Sequence, residues 1–168
     1  MTSSLRFGAT LVLATTSLAV GGAAAQAQIL PGRGAAGVSL GHSREAVLAK
    51  LGQPRSVTRT PGPGGFRRNS FTGLEVYTNE LSRVFMIVVT GRSESLSNGL
   101  RNGSTLARLK ATFPDSLRCS GESGRTSLCS LTTTWRQTGA SAELSTTEFM
   151  IDRAGRVERI TIYRGGGS

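Results

Sequence analysis

The residues able to do chemistry are few and scattered. The only histidine, His42, stands between Gly41 and Ser43. A serine–histidine–acid relay needs its imidazole beside a nucleophile and oriented by a third group. At a glycine–serine turn, His42 reads instead as an exposed turn residue. Paired-carboxylate chemistry needs two acids converging on one cleft. Glu75, Glu148, Asp152 and Glu158 fall at outward or turn positions of strand-like segments. Three or four metal ligands at usual spacings are absent. The expectation is therefore a non-catalytic protein with no cofactor and no metal. A small hydrolase stays open as an alternative, and it requires a polar cleft around His42 or two neighbouring carboxylates.

The N-terminus reads as an export signal. Arg6 supplies positive charge, Ala9 to Val20 carries none, and Ala23 to Ala27 offers small residues where a signal peptidase cuts. Residues 1–27 are expected to be removed, with cleavage after Ala25 or retention as an anchor as alternatives. Residues 28–168 then form a single secreted domain. In an exported chain, Cys119 and Cys129, which enclose Ser120 to Leu128 on strand-like flanks, are expected to close a disulfide.

Charge adds a second bound. The chain has 20 basic and 10 acidic residues, a formal net charge of +10, and only Lys50 and Lys110 are not arginine among the basic ones. Such a domain is drawn to anionic surfaces. Export and the lack of a basic patch interleaved with aromatics argue against nucleic acid. Attachment to an anionic wall polymer or lipid in the cell envelope is an alternative function. The arginines are spread mostly singly, as on a solvated surface.

These residues need elements to hold them. Gly41 to Leu51 aligns with Gly103 to Phe113: Ser43 meets Thr105, Val47 meets Leu109, and Leu51 meets Phe113. Ser43 and Thr105 are placed to cap two short helices, with Gly52–Pro54 ending the first. Helices of that length do not persist alone and need a sheet to lie on. Strands are expected at Arg55–Thr60, Phe71–Thr78 and Arg83–Thr90, then at Ser116–Ser120, Thr126–Trp135, Glu143–Asp152 and Arg156–Arg164. Asn79 to Ser82 and Arg153 to Gly155 read as hairpin turns. Residues 29–34 read as an irregular lead-in and 60–65 as a flexible connection. Residues 137–142 read as a mobile polar loop and 165–168 as a disordered tail. Aligning Val84 with Val157 places Ile87 on Ile160 and Val89 on Ile162. The expected fold is α+β: two tandem helix-plus-antiparallel-sheet repeats, about 36–91 and 98–165, forming one curved sheet with the helices on one face.

The glycine–x–Ser/Thr helix start, the spaced Val and Leu, and Leu51-Gly52-Gln53-Pro54 resemble the repeat of the β-lactamase-inhibitory-protein fold. They are also similar to small outer-membrane-assembly lipoproteins that share the unit. The resemblance implies tandem repeats with a protein-binding role, and no binding residues carry over from it.

The sheet itself points to a surface. In the last strand Ile160 and Ile162 face one way, and Val157, Arg159, Thr161 and Tyr163 the other. Met86 and Val88 are expected on the same uncovered face. Tyr77, Met86, Val88, Trp135, Arg159 and Tyr163 are the candidate binding residues, since aromatics and arginine dominate interface energetics. The partner expected is an unidentified envelope or secreted protein.

Overall fold

The computed structural model describes residues 28–121, 126–138 and 141–164; the side chains of 135–138 and 141–142 are outside that set. The leader, the 165–168 tail and residues 139–140 also fall outside it, while 137–138 and 141–142, read as loop, belong to two paired strands. Among the described residues no helix is long and apolar enough to cross a membrane.

Eight of the strands make one antiparallel sheet. In chain order they are β4 (Ser56–Thr60), β5 (Phe66–Phe71), β6 (Leu74–Thr78), β7 (Val84–Val89), β8 (Arg118–Ser120), β9 (Ser127–Thr138), β10 (Ser141–Ile151) and β11 (Val157–Arg164), and across the sheet they run β4-β5-β6-β7-β11-β10-β9-β8. Two meanders thus meet where β7 pairs with β11, Ile87 opposite Ile162 and Val89 opposite Ile160.

Alternation decides the two faces. Val76, Ile87, Val89, Phe149, Ile160 and Ile162 are fully buried and turn one way, into the core. The layer over them is assembled from several short pieces. Helix α1 (Arg44–Leu51) fully buries only Val47, and α2 (Leu106–Thr112) only Leu109. Ile29, Ala35, Val38 and Leu40 come from a small three-stranded sheet of β1 (Ile29–Leu30), β2 (Gly34–Ala35) and β3 (Val38–Ser39) and its exit. Leu96 and Leu100 come from the connection after β7.

This corrects the expected architecture. The chain is strand-dominated, with one continuous eight-stranded sheet, and is not a two-repeat helix-plus-sheet fold. The physical reason is size. Helices of eight and seven residues cannot cover so wide a sheet, so extended and irregular chain does most of the covering. What the internal alignment did locate is the pair of helix starts. The Ser43 hydroxyl accepts from Ala46 N–H (3.3 Å), and the Thr105 hydroxyl from Arg108 N–H (3.2 Å). Both capping residues bridge the turn just before a central strand, Ser43 at Arg83 and Thr105 at Arg156.

Three further readings are revised. Residues 29–34, read as irregular, supply β1 and the start of β2, and Ile29 is 1% exposed. Phe71–Thr78 is not one strand: a tight turn at Thr72 and Gly73 (φ 71°) separates β5 from β6. Val157 faces the core, because the register between β10 and β11 shifts after Met150 and lets the chain slip one position. A matching shift between β6 and β7 turns Val84 inward.

Candidate functional site

The face of the sheet opposite the core is built from two cross-strand rows. One runs Arg68, Tyr77, Met86, Tyr163, Thr146, Thr132 across adjacent strands. The next runs Ser70, Glu75, Val88, Thr161, Glu148, Ser130. Period-two alternation forces both rows outward once the isoleucines are inward.

The rows are tied by two hydroxyl–carboxylate contacts. The Tyr77 hydroxyl donates to Glu75 Oε2 (2.8 Å), and the Tyr163 hydroxyl to Glu148 Oε1 (2.7 Å). Both phenol pKa values are raised, first by desolvation and then by the neighbouring carboxylate, which disfavours a second negative charge. The phenols are therefore firmly protonated donors at neutral pH, with fixed ring positions. Arg68 approaches Glu75 (Nη1 to Oε1, 3.8 Å) and donates from Nη2 to Thr58 Oγ1 (3.4 Å).

Around Tyr77 the face is aromatic. The rings of Phe66 and Tyr77 lie 5.7 Å apart, those of Tyr77 and Phe85 6.3 Å, and those of Phe66 and Phe85 6.4 Å. These are separations at which tilted and edge-to-face rings attract. All three are half-buried, as are Met86 and Tyr163. Phe66, Phe85, Tyr77, Met86 and Tyr163 form one end of the outer face.

The structure therefore brings together Tyr77, Met86 and Tyr163. Val88 lies on the same face but is 6% exposed, so it is a floor between Glu75 and Thr161 rather than a contact residue. Arg159 is exposed toward the other end, its Nη2 3.6 Å from Met150 Sδ. The backbone of Trp135 lies at the β9–β10 register shift, between Thr134 and Arg136, and its side chain is outside the described residues. Sequence reasoning missed Phe66 and Phe85. Phe66 follows a Pro–Gly loop and precedes two arginines, which hides a strand start. Phe85 is the extra residue of a bulge, which breaks the alternation that would have assigned its face.

The other chemically capable residues are engaged. His42 Nδ1 accepts from Ser39 N–H (3.2 Å). Cys119 and Cys129 form a disulfide and stand directly opposite one another in the β8–β9 ladder. Among the described residues no group of three or more His, Cys, Asp or Glu side chains is arranged to hold a metal ion.

Neither a protein-family model nor a curated protein matches the chain. Among solved structures it is similar to an extracellular protein containing a SCP domain from Bacillus anthracis, at 12% identity and a TM-score of 0.49, covering 74% of this chain and 43% of that one. It is also similar to a cysteine-rich secretory protein from Staphylococcus aureus, at 12% identity and a TM-score of 0.43, covering 74% of this chain and 44% of that one. The chain spans less than half the length of either. The resemblance to the β-lactamase-inhibitory-protein fold and the assembly lipoproteins is corrected by this outcome: the structures that match are SCP-domain and cysteine-rich secretory proteins.

Proposed function

We propose that this chain is an exported, non-catalytic binding module that takes a protein partner on the outer face of its sheet. The observation that carries the reading is the half-buried set Phe66, Tyr77, Phe85, Met86 and Tyr163, side by side on four neighbouring strands. Aromatic rings on a rigid sheet offer large contact area for few rotatable bonds, tyrosine is prominent among residues that dominate contact energetics, and the flexible Met86 thioether can adapt to a partner's surface. The two tyrosine–glutamate contacts orient the rings before a partner arrives. Export is supported by the charged and apolar leader and by the disulfide, a bond that persists in oxidising compartments.

The test is capture from the organism's own secreted and envelope fractions by the immobilised domain. Met86→Ala with Tyr163→Ala is expected to abolish retention of a specific partner while the fold stays intact by circular dichroism. Undiminished retention by this double variant removes the outer face as the site.

A further inference from the structure

The opposite face of the same strand pair holds a different feature. Arg59 on β4 and Arg67 on β5 are direct cross-strand partners, and Arg67 is in turn opposite Thr78 on β6. By alternation these positions point to the core side of the sheet. The covering layer does not reach them: Arg59 is exposed, Arg67 is half-buried, and neighbouring Val57 is 48% exposed. The two arginines line a cleft of about 210 Å³ between the 61–65 loop and the 79–82 turn, with Thr60, Thr78, Asn79 and Ser82 among its walls.

Like charges placed directly opposite on paired strands destabilise the pairing. Neither guanidinium has an ion pair or a side-chain hydrogen bond among the described residues, whereas Arg68 beside them in the hairpin has both. One carboxylate, Glu80, lines the cleft, but its Oε1 accepts from Gly65 N–H (3.2 Å) and so holds the loop. The lining keeps a surplus of one positive charge, two arginines against one glutamate. Two guanidinium forks on cross-strand partners lining one cleft suit a tetrahedral oxyanion with several acceptor oxygens. At about 210 Å³ the cleft is larger than a bare anion and leaves room for hydroxyl groups beside the threonine, serine and asparagine walls.

We propose that this cleft binds a phosphate group carried on a small polyol, with Arg59 and Arg67 clamping the phosphate. Phe66 lines this cleft as well as the outer face, but Arg59 and Arg67 lie on the side opposite Met86 and Tyr163, so arginine and Met86 variants test the two readings separately.

Titration calorimetry at fixed ionic strength tests it, using inorganic phosphate and a short poly(glycerol phosphate) as probes. Arg59→Gln or Arg67→Gln is expected to weaken binding about tenfold or more, the scale of one charge-assisted contact. Glu80→Gln, which keeps the oxygen that accepts from Gly65, is expected to strengthen it. Arg153→Gln on a distant exposed turn and Met86→Ala on the outer face are expected to leave it unchanged. Melting temperatures of the Arg59→Gln and Arg67→Gln proteins at or above that of the parent show that folding is not the variable. Tighter binding of the oligomer than of the free ion supports a polyol-borne phosphate, and tighter binding of the free ion overturns the polyol part of the proposal. No binding of either probe, or an Arg153→Gln loss as large as that of Arg59→Gln, overturns the proposal.

Discussion

Tyr163 lies directly opposite Met86 in the β11–β7 ladder, and Met86 lies opposite Tyr77 in the β7–β6 ladder. A flexible thioether is thus held between the chain's only two phenols, each anchored to its own carboxylate. The two meanders meet at this row, so the face is continuous where the chain is not.

Because these are the only tyrosines, absorbance at 295 nm follows them alone. Both titrate above the ordinary value of about 10. The fold favours the protonated phenols, so their stabilising contribution is complete below about pH 10 and is lost as pH rises through the folded pKa values. The expected titration midpoint is above 10 in the native protein and returns to about 10 in denaturant. Tyr77→Phe with Tyr163→Phe is expected to flatten the alkaline fall in stability. A native midpoint at or below that of the denatured chain contradicts the burial of these hydroxyls.

The face assignment is checked by neighbouring substitutions. Ile87 is fully buried, and Met86 beside it is half-buried on the other side. Ile87→Ala is expected to cost about 2–5 kcal/mol in denaturant unfolding, and Met86→Ala clearly less. Equal losses would mean the outer face is covered.

Helix capping gives a third expectation. Ser43→Ala and Thr105→Ala each remove the acceptor for one helix N–H, and each is expected to cost about 1 kcal/mol. The two caps share no hydrogen-bond partner, so the losses in the double variant should add. A thermal melt of the four proteins decides this.

Reduction gives a fourth. The Cys119–Cys129 bond closes a short loop and ties the three-residue edge strand β8 to β9. Dithiothreitol is expected to lower unfolding free energy by about 2–3 kcal/mol on the chain-entropy account. An unchanged denaturation midpoint would show that β8 holds without its covalent tie.

The helix starts were legible because capping chemistry is local: Ser43 and Thr105 declare themselves by residue type and by the apolar spacing of the helix each one begins. The disulfide and the 79–82 and 153–155 turns were legible for the same reason. Ile87 and Val89 were legible as inward only through their alignment with Ile160 and Ile162, because β7 itself is apolar throughout and shows no alternation. The inner cover was not legible, since β1, β2 and β3 are two residues each and have no period to read. Their burial is set by a sheet formed much later in the chain. Val157 and Phe85 were misassigned or missed because a single extra residue reverses alternation, and only the partner strand records it. Arg67 and Arg68 made β5 look like loop, since charge there reflects missing cover rather than missing pairing.

The segment around Gly32 reaches across most of the sequence. Gly32 N–H donates to Thr147 Oγ1 at 2.7 Å, 115 positions away, and a Cβ at Gly32 would collide with Thr133 Oγ1. This early stretch therefore cannot find its seat until β9 and β10 exist. Contacts so distant in sequence slow folding. Ile29 can meet Ser95 once β7 and its exit are made, but Gly32 has no Thr147 partner until β10 follows, so the last seating of this stretch belongs to a nearly complete chain.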